Sequence, residues 1–375
     1  MNSKPETDLE NLRYHLALSQ APKVGPGVFK AILAYSGSAK VFFSLSKGKA
    51  GKIPRVGEKL LEIQSQAVSL LRKADELISL SEKKGFRILV STDPEFPARL
   101  KAHEDGPVIL FTQGNCNLNF ERSVGIVGTR SATSYGKSIT RKIVEDLLPY
   151  QPVIISGLAY GIDIEAHRAA LQVGLPTIAV MGSPISQIYP AAHKKTAEQL
   201  QETGVLLSEY APGSPMVPGN FPARNRIIAG LSDALIVVEA AEKGGALITA
   251  EIAYSYNKDV FAVPGNLQSP FSEGCNHLIR KMKASIYTGP GDIAEALFWT
   301  KPGEEKAKKP TLELSNREEE EILILKLLLE KGESEIDQIS YLTEIPLGML
   351  SSKLLSLEFE GIVKSLPGKK YKLMV

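Results

Sequence analysis

Cysteine is scarce: Cys116 and Cys275 are the only two in 375 residues. Two thiols make no disulfide framework and no zinc site built mainly from thiolates, and they point to a reducing compartment. A dominant charge is missing as well. With 44 basic against 42 acidic side chains the net charge is +2, which excludes a histone-like polycation but leaves room for a local basic groove. Long hydrophobic runs are absent. The longest, residues 234–238 and 322–329, are too short to span a bilayer, and the polar start MNSKPETDLENLRYHL has no signal-peptide core. The expectation is a soluble, cytoplasmic protein with no membrane contact. What is present is ordinary for a globular chain. An apolar content of 43% excludes global disorder, and the length suggests two or three domains.

Composition divides the chain into four stretches. Residues 1–82 read as helices with Gly/Pro breaks at 22–27 and 53–57. Residues 83–299 alternate short β-branched runs with helical stretches. The runs at 123–127, 153–155, 177–180, 205–207, 234–238 and 260–263 are nearly all apolar, as strands covered on both faces require. Two earlier runs, 87–90 and 108–111, extend the sheet at one edge. This pattern predicts an α/β core with an extended, Rossmann-like, doubly wound and mostly parallel sheet. Residues 300–316 are nearly devoid of apolar side chains and read as a linker. Residues 317–375 read as three helices and a hairpin, a C-terminal winged-helix domain.

Gly-rich loops follow several predicted strands. The first, Gly128-Thr129-Arg130, leads from a buried strand into a helix, where backbone amides and a guanidinium suit a phosphate. It lacks the Gly-Lys-Ser/Thr ending of a Walker motif, and its third glycine is displaced from the position a dinucleotide fingerprint needs. The second, from Ser156-Gly157 to His167, leaves a neighbouring strand and would face the same crevice. Asp163 and His167 share a helix face. They read as a general acid/base pair or as local structural groups, and the lack of a nucleophile or metal cluster favours the second. The third, Gly219 to Gly230, joins Phe221, Arg224, Asn225 and Arg226, a positive track with an aromatic face that suits single-stranded nucleic acid; Arg226 could instead tie two loops together through carbonyls. The fourth offers Lys243 and the amides of Gly244 and Gly245 as an anion nest. The fifth ends in Asn266. The turn Val24-Gly25-Pro26-Gly27-Val28 reads either as a helix-hairpin-helix phosphate contact or as a plain connector.

Taken together and in order, these motifs resemble the DNA-processing protein A (DprA, or Smf) family. The segments carrying the resemblance are GIVGTRSATSYG (125–136), ISGLAYGID (155–163), TIAVMGSPISQIYP (177–190), NFPARNRIIAGLSDALIVVEA (220–240), GGALITAEIA (244–253) and FAVPGN (261–266). The resemblance implies a Rossmann-like core that binds single-stranded DNA and dimerises. It also implies a protein that protects incoming strands and loads the recombinase RecA during natural transformation. Carried over by motif, Arg130 grips a phosphate, and Phe221, Arg224, Asn225 and Arg226 line the same groove. Gly128, Thr129, Ser156, Gly157, Gly244 and Gly245 supply close backbone contacts. A helical N-terminal domain and a winged helix fit many relatives. No cofactor, metal or catalytic group is expected. The alternative is a nucleotide-binding or nucleotide-hydrolysing enzyme of a related core, with Glu251 as its catalytic carboxylate. A further alternative is a duplex-DNA regulator reading through the helix at 347–360. That helix carries Lys353 but also Glu358 and Glu360, a poor face for phosphate.

Overall fold

The computed structural model describes residues 6–301, 317–366 and 370–373. The first compact unit runs to Trp299 and the second begins at Thr300. The first unit is built on a nine-stranded sheet. Its strands are β1 (Arg87–Val90), β2 (Ile109–Gly114), β3 (Ser123–Val127), β4 (Val153–Ser156), β5 (Thr177–Met181), β6 (Val205–Ser208), β7 (Ala234–Val237), β8 (Asp259–Ala262) and β9 (Ser285–Ile286). The spatial order is β1-β2-β6-β5-β4-β3-β7-β8-β9. From β6 to β9 all pairs are parallel, whereas β1 and β2 add an antiparallel edge. The extended Rossmann-like, mostly parallel fold expected from the sequence is therefore present.

Alternation along the strands explains the layers. Val124, Ile126, Ile154 and Ile236 point to one face and pack under the helices Ser134–Leu147 and Ile162–Val173. Val127, Ile155, Val180 and Val237 point to the other, under Asn220–Leu231 and Gly245–Ser255. Because both faces are covered, the parallel strands carry polar side chains only at their ends, such as Ser123, Ser156, Thr177 and Ser208. The chain lays down β3, β4, β5 and β6 in one direction, then returns to β7 on the far side of β3. That reversal opens a crevice beyond the carboxyl ends of β4, β3 and β7, where ligands of open α/β sheets collect.

The compositional break near residue 82 does not divide the packing. Leu16, Leu18, Phe29 and Ile32 of the N-terminal helices share one apolar cluster with Ile88, Val90, Phe111 and Leu206 of the sheet. Two turns of the helical region, Pro22-Lys23-Val24-Gly25 and Pro54-Arg55-Val56-Gly57, repeat each other in sequence and in backbone. Lys23 and Arg55 both adopt φ near +70° (67° and 70°). Each is followed by Val-Gly, and Gly25 and Gly57 have nearly identical φ, ψ values of −86°, 176° and −87°, 175°. The first turn is tied into the protein. Lys30 Nζ donates to the carbonyls of His103 (2.5 Å) and Glu104 (3.1 Å), and the Arg55 guanidinium covers Gly27. These contacts favour the connector role over a phosphate contact there.

The second unit has its own core, centred on Ile324, Leu328, Ile339, Leu350 and Leu354. Helices Glu319–Lys331, Ile336–Thr343 and Leu347–Phe359 accompany a small antiparallel sheet of β10 (Ser334–Glu335), β11 (Val363–Leu366) and β12 (Lys370–Leu373); β10, between the first two helices, is a strand the sequence reading did not expect. The expected turn at Pro367-Gly368, the end of the last strand at Met374 and residues 302–316 of the linker lie outside the described residues. The charges of Leu347–Phe359 and its cap are used internally: Lys353 pairs with Glu318, Glu358 accepts from Ser365, and Glu360 pairs with Arg317 at 2.8 Å.

A candidate nucleic-acid interface at the strand ends

The loops after β3, β4 and β7 and the start of the Asn220–Leu231 helix enclose a pocket of about 220 Å³ in the crevice. Gly128, Thr129 and Arg130 enter from β3. Asp163 enters from the first turn of the Ile162–Val173 helix, Phe221, Arg224 and Asn225 from the Asn220–Leu231 helix, and Gly244 and Gly245 from the turn after β7. The Arg130 side chain is exposed and forms no hydrogen bond or ion pair among the described residues. Gly244 caps the Gly245–Ser255 helix, and a Cβ on Gly245 would meet nothing within 4 Å. The pocket thus combines an open helix start with an unengaged guanidinium, both favourable to an anion. Thr249, one turn into the same helix, completes the wall.

Two of the expected phosphate ligands serve the fold instead. Arg224 is buried. Its guanidinium donates to the carbonyls of Gly157 (2.6 Å) and Val180 and, through Nε, to Asn225 Oδ1 (3.2 Å). Burial lowers its pKa, and the buried Asp163 carboxylate opposes that shift. Burial raises the Asp163 pKa in turn, against the pull of Arg224 and of the Gly157 amide, which donates to Asp163 at 3.2 Å. A long cation among carbonyls is held in one place by these bonds, so Arg224 shapes the pocket wall and adds charge behind it. Arg226, two residues on, turns away from the pocket. It binds both oxygens of Glu209 at 2.7 Å, because adjacent even positions of a helix do not share a face. The sequence reading gave the carbonyl-tying alternative to Arg226; the structure corrects this, since Arg224 bonds the Gly157 and Val180 carbonyls while Arg226 pairs with Glu209.

The close backbone contacts expected of Ser156 and Gly157 are also corrected. Ser156 is buried and donates to Ile126 O at 2.6 Å. Gly157 is glycine because a Cβ there would stand 2.5 Å from the Arg224 guanidinium; its amide and carbonyl are already engaged. Lys243 and Asn266 are exposed and do not line the pocket, and Asn266 Oδ1 accepts from the Gln268 amide within its own loop.

Glu239 escaped the sequence reading. Its buried carboxylate accepts from the Thr133 amide (3.0 Å) and hydroxyl (2.5 Å), and its carbonyl accepts from the Thr129 amide (2.7 Å). Thr133 Oγ1 in turn accepts from Gly136 N and caps the Ser134–Leu147 helix. One side chain from the end of β7 therefore sets the loop that carries Arg130. A buried acid following a strand that precedes a Gly-rich turn was the available signal.

His167 takes the structural alternative. It is fully buried and outside the pocket lining. Thr177 donates its only hydroxyl proton to Ile154 O, so His167 Nδ1 donates to Thr177 Oγ1 at 2.7 Å. Burial is the main cause of a pKa lowered to about 3. Glu251, the carboxylate required by the nucleotide-hydrolysing alternative, is exposed and paired with Lys283 at 2.7 Å, away from the pocket lining. Among the described residues no group of three or more His, Cys, Asp or Glu is placed to hold a metal, and no helix is long and apolar enough to cross a membrane.

The chain thus combines a Rossmann-like, mostly parallel sheet, a pocket at its switch point and a separate C-terminal unit. The family model for DNA recombination-mediator protein A matches residues 87–298, and the chain belongs to that family. Protein Smf of Synechocystis is 34% identical over 394 aligned positions, covering 96% of this chain and 98% of the relative. Two solved structures are similar. DNA processing protein A of Streptococcus pneumoniae shares 34% identity at a TM-score of 0.65, over 76% of this chain and 97% of that one. DNA processing protein A of Helicobacter pylori, solved for its single-stranded DNA binding mode, shares 31% identity at a TM-score of 0.51, over 57% and 95%.

Proposed function

We propose that the protein binds single-stranded DNA in the crevice beyond β4, β3 and β7 and acts as a recombination mediator without cleaving the strand. The observation that carries this reading is the exposed, unpaired Arg130 guanidinium. It shares one pocket with the open Gly244-Gly245 helix start and with the half-buried Phe221 ring. The first two suit a phosphate and the third a base. The single-stranded DNA binding mode described for the Helicobacter pylori relative supports it. Gly128, Thr129, Arg130, Phe221, Gly244 and Gly245 contact the strand. Arg224 and Asn225 form the wall behind it, and Lys243 adds charge at the rim. The displacement of Glu251 into an ion pair with Lys283 supports binding over nucleotide hydrolysis.

The finer role follows the family resemblance: protection of incoming strands, delivery to RecA in the cytoplasm during natural transformation, and a homodimer through the Rossmann-like core. Titration of labelled single-stranded and duplex oligonucleotides at several salt concentrations tests the central claim. Single strands bind more tightly, and affinity falls with salt through counterion release. Arg130→Ala weakens single-strand binding about tenfold or more, the weight of a charge-assisted hydrogen bond. It also reduces the salt slope by about 0.7, one phosphate's worth. A folded variant with unchanged affinity and slope removes Arg130 from the interface.

A further inference from the structure

Arg130 does not belong to one cavity alone. It also lines a second cleft of about 490 Å³ and a small cavity of about 30 Å³ that shares lining residues with both. Phe221 is common to the first pocket and the small cavity, and Tyr160 to the small cavity and the second cleft. Aromatic rings mark this series of cavities. Phe221 leans on Tyr189 with centroids 5.3 Å apart, and Tyr160 meets His193 edge-on at 4.8 Å. Tyr160 and Tyr189 remain 49% and 44% exposed, so their faces are available to a base.

The second cleft is also positive. Lys137, from the Ser134–Leu147 helix, and Arg168, from Ile162–Val173, line it together with Arg130. Both side chains are exposed and, like Arg130, form no hydrogen bond or ion pair among the described residues. A solitary surface cation is unremarkable; three around one cavity sum to a field that attracts a polyanion. The one carboxylate in the lining, Glu165, is already paired with Arg141. Burial lowers the pKa of His193 and keeps its ring neutral. The cleft's volume falls within the range of about 300–1,000 Å³ typical of small-ligand sites.

We propose that this cleft is a second nucleotide subsite, in which Lys137 and Arg168 hold the phosphate adjoining the one at Arg130 and Tyr160 stacks the intervening base. The proposal rests on the reading of the first pocket as a single-strand site. It makes the strand run along the protein surface past Tyr189 and Tyr160, from the glycine-lined pocket to the basic cleft.

The test is anisotropy of labelled oligothymidylates spanning about 2 to 16 nucleotides, against the full-length protein. The variants are Lys137→Gln/Arg168→Gln, Tyr160→Ala and the control Lys142→Gln. Lys142 lies on the same helix as Lys137 but outside the cleft, paired with Asp146. For the double variant, the shortest oligonucleotides bind as to wild type, while the gain in affinity with length is lost. Its salt slope with the longest oligonucleotide falls by about 1.4, or 0.7 for each lost contact. Tyr160→Ala lowers long-oligonucleotide affinity by about 5- to 150-fold, the worth of one stacked base. Lys142→Gln leaves length dependence intact. The second subsite is overturned if the double variant tracks wild type at every length, or loses no more than Lys142→Gln does. It is equally overturned if short and long strands weaken alike. Wild-type protein that ignores single strands altogether overturns the function reading itself, an outcome visible without any variant.

Discussion

At the level of single residues, chemistry-bearing side chains divide by burial. Arg130 and Arg224 share a residue type and a pocket, yet one is exposed and unpaired while the other is buried among carbonyls. Arg224→Met therefore acts on the fold. It strips the Gly157 and Val180 carbonyls of their donor and leaves Asp163 without its nearby cation. The expected loss of stability is about 3–5 kcal/mol, read as a lower denaturant midpoint. Gly157→Ala forces a methyl into that guanidinium and costs about 1–3 kcal/mol by the same measure. His167 gives a pH dependence. Its pKa is lowered from 6.5 to about 3 on folding, so from pH 6.5 down to about 3 the unfolded chain binds a proton that the folded chain refuses. Stability falls on acidification through that window by up to about 1.4 kcal/mol per pH unit. Asp163, with its raised pKa, acts in the opposite sense. The difference between wild type and His167→Gln isolates the histidine, since Asp163 is common to both. Equal pH slopes for the two proteins would contradict a buried neutral imidazole.

At the level of elements, most helices and strands were legible and their partners were not. Strands of four or five apolar residues between amphipathic helices announce a parallel sheet, and the observed strands fall within a few residues of the expected runs. The two-residue β9 carries no such pattern and is recognisable only by its pairing with Phe261 and Ala262. Loop identity was legible from glycine, but not which loop atoms stay available. Ser156 and Gly157 look like ligands in one dimension and prove to be occupied in three. Conversely, Glu239 looks like any acid after a strand, yet it fastens the Arg130 loop to β7. Glu239→Ala leaves the Thr133 amide without its acceptor. It should cost about 1–3 kcal/mol and weaken single-strand binding as well, because the helix cap and the loop loosen together. Unfolding and oligonucleotide titration of the same variant check both; lost stability with intact binding would uncouple Glu239 from the loop's function.

For the whole molecule, the two units have separate cores, so a chain ending at residue 301 should fold and retain the strand-end pocket. Calorimetry should show one transition fewer than the full chain, and single-strand affinity should be preserved. A collapse of binding on truncation would move part of the interface to the C-terminal unit. The sequence by itself determined the sheet, its helical layers, the Gly-rich strand ends and the break before the C-terminal unit. Each of these is written in local periodicity and in residues whose backbone preferences act at short range. Only the tertiary structure decided that the N-terminal helices share a core with the sheet, and which arginine stays available to a ligand. Those outcomes depend on the desolvation and hydrogen-bond partners supplied by segments distant in the chain, as when the carbonyls of Gly157 and Val180 claim Arg224 and leave Arg130 open.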